Sequence, residues 1–306
     1  MTHASKHIQS LRSVALNVPD LVLAEKFYTN TWHLTVCARA LDALYFRGTG
    51  RDPQILSLHR KAGSAEIRNV TLRVREQSSL EAIAGAAMLA GGKVLRPSAV
   101  LSEPGGGVAL SITDPVGRVF RLVFGDNQIS SNIDTSSTET RDQPSRLAHV
   151  VLNSDNVAAS QQFLETVLDF SLSDRTRIMA FMRCNDDHHS IAFGDANNNA
   201  LNHIAFVMPD LDSVMRGGGR MKDSGFPIEW GPGRHGPGNN TFNYFLGPFG
   251  EVIEYTADVQ QVDDSYQAGT PEKWAWGPGR TDHWGISQAP SAALKAAQRM
   301  VQFAKE

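Results

Sequence analysis

The sequence predicts an α+β protein built from four βαβββ-like units in two tandem halves. The segment LRSVALN at residues 11–17 returns as LAHVVLN at residues 147–153. In both halves an apolar strand pattern precedes an amphipathic helix and then further short strands. Each half closes with two strands joined across a turn that contains glycine and proline, at residues 114–117 and again at 247–250. Repetition at this scale indicates a duplicated domain.

The first half reads as two successive units, each with one helix. Gly91 and Gly92 end the second helix, as glycines after a helix commonly do. Predicted strands lie at residues 11–17, 43–47, 55–59, 67–74, 107–112 and 118–124, and predicted helices at 21–32 and 78–90.

The second half repeats this order. Predicted strands lie at residues 147–153, 178–183, 189–193, 202–208, 241–246 and 251–255, and predicted helices at 157–168 and 210–225. The stretch GPGRHGPGNN at residues 231–240 is predicted to be an irregular loop because glycine and proline dominate it. Residues 257–287 are predicted to be an irregular tail, and residues 289–305 an amphipathic helix.

Composition excludes several classes of function. The chain has 306 residues and a net charge of −3 with interspersed signs and no basic stripe, which argues against nucleic-acid binding. Its two cysteines, Cys37 and Cys184, do not form a disulfide framework and suit a reducing compartment. No apolar run is long enough to span a membrane. We therefore expect a soluble, cytoplasmic protein with no membrane partner.

Glu254 points to a site in the second half. Side chains alternate along a strand, so Glu254 shares a face with Val252 in a strand that is predicted to be half buried. An unpaired buried carboxylate is too costly to keep. His149 and His203, on two other predicted strands, can pair with it if a metal ion lies between the three. Two imidazoles and one carboxylate suit an octahedral divalent ion with open positions, typically non-haem Fe(II).

The repeat supports this interpretation. In the alignment of the two halves, the positions of His149, His203 and Glu254 are occupied by Ser13, Asn69 and Arg121 in the first half. A structural role shared by both halves would not produce this difference. The alternative, in which each of the three is an ordinary strand residue satisfied in the core or at the surface, stays open at this point.

Four segments carry a family resemblance: LAHVVLN, FMRCNDDHHSIAF, LNHIAFVMPDL, and GRHGPGNNTFNYF with GPFGEVIEY. They span most of residues 147–256, and CNDDHHSIAF and GRHGPGNN are the specific parts. In these segments the chain resembles the type I extradiol ring-cleaving dioxygenases of the vicinal oxygen chelate superfamily. The resemblance implies an α+β fold with four βαβββ modules in two tandem vicinal-oxygen-chelate, or glyoxalase-like, domains. It also implies a homo-oligomer.

The resemblance implies roles for residues at matching positions. His149, His203 and Glu254 match the family's Fe(II) ligands, and His189 matches its active-site acid/base. The implied cofactor is Fe(II), although the same ligands accept Mn(II), and O2 is the co-substrate.

Further matches concern the substrate. His235 and Tyr244 match residues that hydrogen-bond the bound substrate and oxygen, and Arg280 matches an arginine of the C-terminal lid. Trp230 stands where some relatives have a carboxylate-binding arginine, which favours a less charged ring. Phe181 and Trp230 can line a ring-shaped pocket.

We therefore expect an Fe(II)-dependent extradiol dioxygenase that cleaves a small aromatic vicinal diol of the catechol type. The expected segments are a non-catalytic βαβββ pair at residues 1–126, a polar linker at 127–145, a catalytic metal-binding pair at 146–258, and a tail or lid with a helix at 259–306. Two alternatives remain. A glyoxalase-type isomerase keeps the metal but favours two glutamates and ligands from two modules, and a binding protein of the bleomycin-resistance type needs no metal.

Overall fold

The computed structural model describes residues 5–129 and 142–305, and these form two curved β-sheets with helices packed on them. Most of the predicted linker at residues 127–145 lies outside the described residues, so the predicted segment boundaries stay a prediction. In the part of the chain that the structure describes, no helix is both long and apolar enough to cross a membrane.

The regular elements follow the repeated order that the sequence predicts. The strands are β1 Ile8–Val18, β2 Thr35–Ala40, β3 Ala43–Arg47, β4 Leu56–Arg60, β5 Glu66–Val74, β6 Lys93–Val100, β7 Val108–Thr113, β8 Val119–Phe124, β9 Arg146–Ser154, β10 Ser171–Arg175, β11 Met179–Arg183, β12 Ile191–Asp195, β13 Leu201–Val207, β14 Trp230–Arg234, β15 Thr241–Leu246, β16 Val252–Ala257 and β17 Gln302–Phe303. The α-helices are α1 Leu21–Lys26, α2 Ser78–Leu89, α3 Val157–Leu168, α4 Leu211–Asp223 and α5 Ala292–Ala297.

Both sheets have the same topology. The first has the order β2-β3-β4-β1-β5-β8-β7-β6, and the second has the order β10-β11-β12-β9-β13-β16-β15-β14. The central pairs, β1 with β5 and β9 with β13, are antiparallel, and each central strand has a parallel neighbour on its other side. Each of the helices α1 to α4 forms one βαβββ unit with the strand before it and the three strands after it. The predicted fold class, four such units in two tandem domains, is confirmed.

The strand registers match the repeat residue by residue. Ala15 pairs with Asn69 in the first sheet as Val151 pairs with His203 in the second. Likewise, Thr71 pairs with Arg121 in the first sheet as Ala205 pairs with Glu254 in the second. Each candidate ligand therefore has its counterpart at the same place in the first sheet.

The two halves share one hydrophobic core. Trp32 of the first half stacks on Tyr255 of the second, with ring centroids 3.7 Å apart. The Tyr255 hydroxyl donates to the Trp32 carbonyl at 2.9 Å. On the other side, the buried Arg118 guanidinium donates to the Asn153 carbonyl at 2.7 Å. These contacts hold the second sheet against the first.

The prediction that residues 231–240 are entirely irregular is wrong, because Trp230–Arg234 forms strand β14. This strand lies at the edge of the second sheet, where β15 is its one partner among the described strands. Proline is tolerated there because an edge strand needs no second row of N–H donors. The register also shifts between Trp230 and Gly233, which absorbs Pro232. The polar outer strands β2, β6 and β10 are likewise missing from the prediction, since they lack an alternating apolar pattern.

The predicted C-terminal helix at residues 289–305 is wrong in its extent. Helix α5 ends at Ala297, and the chain then pairs with both sheets. The Val301 carbonyl accepts from Leu201 N–H at 2.9 Å, and β17 runs parallel to β5. Backbone groups that a longer helix would satisfy internally are satisfied by strands instead. The predicted helix at 21–32 is also divided, into α1 and a π-helical turn at Phe27–Thr31.

Candidate metal centre and active site

The structure brings the three predicted ligands together. His149 projects from β9, His203 from β13 and Glu254 from β16, which are neighbouring strands. The two Nε2 atoms lie 3.3 Å apart, and each lies 3.2 Å from Oε2 of Glu254. All three side chains are buried, and their ligand atoms form a compact triangle.

This triangle fits a divalent metal ion. Atoms 3.2–3.3 Å apart can all lie about 2.1 Å from one cation, which is the usual length of a metal–imidazole bond. The carboxylate neutralises one positive charge, and neutral imidazoles supply the remaining lone pairs. Without a cation or a proton between them, the lone pairs of these three atoms would face one another at close range, which is unfavourable in a buried site.

Neighbouring side chains orient the ligands. Asn202 Oδ1 lies 2.8 Å from His203 Nδ1 and accepts a hydrogen bond from it. The proton of His203 is therefore on Nδ1, and the lone pair on Nε2 is directed at the triangle. Asn240 donates to Glu254 Oε1 at 3.4 Å. His149 Nδ1 has no hydrogen-bond partner among the described residues.

Burial and charge favour the metal-binding protonation states. Burial lowers the pKa of His203 to about 4, so its imidazole is neutral at physiological pH. Burial by itself would raise the pKa of Glu254, but the surrounding imidazoles of His149, His203 and His235 outweigh it and hold that pKa well below its ordinary value. The site therefore presents a carboxylate and a neutral imidazole, the forms that bind metals.

The corresponding place in the first sheet is filled by an ion pair. Arg121 makes two hydrogen bonds to the Glu103 carboxylate, at 2.6 and 2.8 Å, and one to the Thr71 hydroxyl at 3.1 Å. A fixed guanidinium replaces the cation that the second sheet would hold. All candidate ligands thus come from one half.

His189 lies beside the triangle. Its ring centroid is 4.3 Å from that of His149, and Phe181 packs edge-on against it at 5.1 Å. Its Nδ1 atom lies 3.0 Å from Nδ1 of His188. Burial, with the nearby His149, holds the pKa of His189 well below its ordinary value. A neutral imidazole that adjoins the metal ligands can accept a proton from a bound substrate.

Tyr244 and His235 lie on the other side of the triangle. The Tyr244 hydroxyl is 3.4 Å from His203 Nε2 and 3.1 Å from His235 Nε2. Burial and the Glu254 carboxylate raise the pKa of Tyr244 well above its ordinary value, so it stays a hydrogen-bond donor. His235 stacks on Phe242, with centroids 4.1 Å apart.

A cavity of about 750 Å³ opens from the triangle. Its inner wall is apolar or aromatic, formed by Val151, Phe181 and Trp230. The C-terminal tail supplies an outer wall that includes Trp274 and Trp276. Exposed cationic side chains line the cavity as well: Arg177, Lys295 and Arg299. The predicted lining residues Phe181 and Trp230 are therefore both in place.

Arg280 is not among the residues that line this cavity. Its guanidinium is exposed and donates to the main-chain carbonyls of Asp282 and His283 in its own turn. Thr281, its neighbour, does line the cavity. The placement gives no support to a substrate contact for Arg280.

Two buried residues of this site, His188 beside His189 and Asp174 beside His188, were not predicted from the sequence. His188 is fully buried, and its Nε2 lies 2.8 Å from Oδ2 of the equally buried Asp174. Asp174 lies on β10, a strand whose polar sequence SLSDR hid its burial. The one signal in the sequence for a role of His188 was its position next to His189. Where the backbone is not a regular strand, two consecutive side chains can both point into the interior.

The chain is similar to known proteins in sequence and in fold. The sequence profile of the Glyoxalase/Bleomycin resistance protein/Dioxygenase superfamily matches residues 146–255. Metapyrocatechase 2 of Cupriavidus necator is 33% identical over 144 residues, which cover 44% of this chain and 45% of that protein. The chain thus matches less than half the length of this curated relative.

Solved structures match over almost the whole chain. A Mn(II)-bound glyoxalase from Novosphingobium aromaticivorans has a TM-score of 0.86 and 31% identity, and the match covers 96% of this chain and 94% of that one. A variant of homoprotocatechuate 2,3-dioxygenase from B. fuscum has a TM-score of 0.80 and 21% identity, with 92% of this chain and 79% of that one covered. At 21% identity, the similarity to homoprotocatechuate 2,3-dioxygenase is evidence of a shared fold alone.

Proposed function

This chain belongs to the glyoxalase, bleomycin-resistance protein and dioxygenase superfamily, and from that premise we propose that it is a metal-dependent extradiol dioxygenase acting on a catechol-type substrate. The observation that carries the proposal is the site in the second half. Two imidazoles and one carboxylate meet there at the inner end of an aromatic-walled cavity, with His189, His235 and Tyr244 around them. The name of the curated relative, metapyrocatechase, supports the same chemistry.

His149, His203 and Glu254 would hold the metal. A bound redox-active ion supplies an electronic path between an aromatic diol and O2, which otherwise react slowly because ground-state O2 is a triplet. Three protein ligands leave room for both diol oxygens and O2. Fe(II) suits this role best, and Mn(II) is compatible with the same ligands.

His189 would act as the base toward the diol. It lines the cavity, it is neutral, and its ring lies against that of the ligand His149. The same imidazole can return the proton later, because it is held in a fixed position beside the reacting oxygen atoms.

Tyr244 and His235 would hold the ionised substrate. Both have polar atoms close to the triangle, and the buried Tyr244 hydroxyl is a donor. A hydrogen bond to developing negative charge in a site shielded from water is worth more than one in water.

The apolar wall favours neutral substituents on the ring. Trp230 stacks on Tyr244 at 5.0 Å, and Val151 and Phe181 belong to a small buried apolar cluster. An anionic group placed against this wall would lose its hydration, and the cationic side chains of the cavity, Arg177, Lys295 and Arg299, are exposed, where an ion pair contributes little. We therefore propose alkyl- or aryl-substituted catechols rather than acidic ones.

A glyoxalase-type isomerase is the second candidate, because the structural relative with 31% identity bears that name. Its chemistry would also use a metal and a base. The ligand set argues against it here, since the ligands come from one half and Arg121 fills the equivalent place in the other.

The test is an aerobic assay of the iron-loaded protein with a panel of catechols. We expect a yellow ring-opened product and uptake of one O2 per diol, with no activity toward a hemithioacetal. Isomerisation of the hemithioacetal without O2 uptake would favour the second candidate. The homo-oligomer and the cytoplasmic location stay predictions from the sequence.

A further inference from the structure

We propose that Asp174 and His188 are positioning residues that fix the proton of His189 on Nδ1 and leave Nε2 as the base. This inference rests on the proposed function, because it concerns the side chain that would accept the substrate proton. It gives a role to two buried side chains, Asp174 and His188, that are not metal ligands.

Asp174 is a fully buried acceptor with three donors. Its Oδ1 accepts from Gly269 N–H at 2.5 Å, and its Oδ2 accepts from the Tyr266 hydroxyl at 3.1 Å. The third partner is His188 Nε2, at 2.8 Å. A carboxylate only accepts hydrogen bonds, so His188 must carry a proton on Nε2.

That proton determines the rest of the chain of contacts. A neutral His188 with its proton on Nε2 has a lone pair on Nδ1. This lone pair faces His189 Nδ1 at 3.0 Å, so His189 donates from Nδ1. The nitrogen of His189 that remains available to a ligand is Nε2, which then carries a lone pair. His189 lines the cavity, where a substrate hydroxyl would meet it.

The same contacts give an incoming proton a place to go. When His189 Nε2 takes a proton from a diol hydroxyl, the Nδ1 proton can pass to His188 Nδ1. His189 is then neutral again, and the positive charge rests on His188 next to the Asp174 carboxylate. Return of the proton reverses both transfers. Opposite charges at hydrogen-bond distance in a buried site stabilise this arrangement.

The C-terminal tail takes part, because two of the three donors to Asp174 belong to it. Tyr266 and Gly269 come from the tail, and Gly269 forms an isolated bridge with Asp174 itself. A Cβ atom on Gly269 would lie 2.7 Å from Asp174 Oδ1 and still closer to Trp274, so no larger residue fits. The docked tail thus holds the carboxylate that orients His188.

The decisive measurement is the 15N spectrum of histidine-labelled protein loaded with diamagnetic Zn(II), assigned with His189→Gln and His188→Gln. We expect His189 to show a protonated Nδ1 and an unprotonated Nε2, and His188 the reverse. In Asp174→Asn the amide can donate to His188 Nε2, so both tautomers should invert. A wild-type His189 that is protonated on Nε2 would overturn the proposal.

Kinetics supply the second readout. Asp174→Asn should lower kcat by about 100-fold or more with little change in KM, because the base then presents a proton instead of a lone pair. Asp187→Asn is the matched control. Asp187 immediately precedes His188 in the chain, and it is also a buried carboxylate, but its partner is Arg146. It should leave both tautomers and kcat near their wild-type values.

The two hypotheses can fail separately. If the wild type cleaves no diol but shows the expected tautomers, the proposed function fails and the assignment of the protons stands. If the wild type cleaves diols while Asp174→Asn retains both tautomers and its kcat, the positioning role is wrong.

Discussion

Apart from the metal ligands, His189 is the residue that the proposed chemistry needs most, because it is the base. Replacement by phenylalanine, which puts an aromatic ring without nitrogens in place of the imidazole, should leave iron bound and slow turnover by about 10²–10⁴-fold. The check is kcat together with the iron content of the same sample. His59→Phe is the matched control, because His59 is a partly buried histidine of the first half. A wild-type rate in His189→Phe would remove the role of base.

Trp230 should set the preference for uncharged substrates. Neutral alkyl- or aryl-catechols should have higher kcat/KM than acidic ones, because the wall that Trp230 forms offers no partner to a carboxylate. Trp230→Arg should shift the ratio of the two kcat/KM values toward the acid by about tenfold or more. Trp230→Phe controls for lost volume. Faster turnover of acidic catechols by the wild type would contradict this reading.

At this scale the sequence was informative where a residue broke the repeat. His149, His203 and Glu254 were proposed because a half-buried carboxylate on a strand needs partners, and their absence from the first half supported the proposal. The strand register places them where the alignment of the two halves does. Asp174 could not be found in this way. Its importance depends on partners 14 and 95 residues away, and no local pattern shows those contacts.

Among the elements, the C-terminal tail supplies part of the cavity wall. A Cβ atom on Gly236 would lie 2.7 Å from the Trp276 ring and 2.9 Å from that of Trp274, so the tail packs tightly on the residue after His235. Gly236→Ala should displace the tail and lower kcat/KM by up to about 100-fold, with iron retained.

Gly277→Ala lies in the same tail, and a Cβ there meets nothing within 4 Å. It should behave as wild type in kcat/KM and in limited proteolysis of the tail. Equal values for the two alanine variants would show that the packing on Gly236 does not matter to the cavity.

The elements also show what a pattern of single residues misses. The β15–β16 hairpin was predicted because apolar residues alternate on both sides of the Gly247–Gly250 turn. Strand β14 was not predicted, because glycine and proline in its sequence Trp-Gly-Pro-Gly-Arg are typical of loops. It becomes a strand because β15 lies beside it. Strand β17 is similar, because its two residues form a strand only where β5 lies beside them.

In the whole molecule, a buried hydrogen bond between the halves makes stability depend on pH. The Tyr28 hydroxyl donates to Glu251 Oε1 at 2.6 Å, and burial raises the pKa of Glu251 to about 7. The folded state then binds this proton more tightly than the unfolded state. The free energy of unfolding should therefore fall as pH rises from about 4.5 to about 7, by an amount on the order of 3 kcal/mol.

Glu251→Gln keeps a polar group for Tyr28 and the Phe249 N–H but cannot ionise. Denaturant unfolding between pH 5 and pH 8 should show that the variant lacks this decline, so that it exceeds the wild type in stability at pH 8. Parallel curves for the two proteins would contradict the assignment.

The proposed chemistry depends on a metal ion held by two imidazoles and one carboxylate in the second half. The most direct measurement is the iron content of anaerobically reconstituted protein, compared with that of His203→Ala and of the control His59→Ala. We expect about one Fe(II) per chain in the wild type and in the control, and almost none in His203→Ala. Unchanged iron in His203→Ala would contradict the metal site and, with it, the proposed oxygen chemistry.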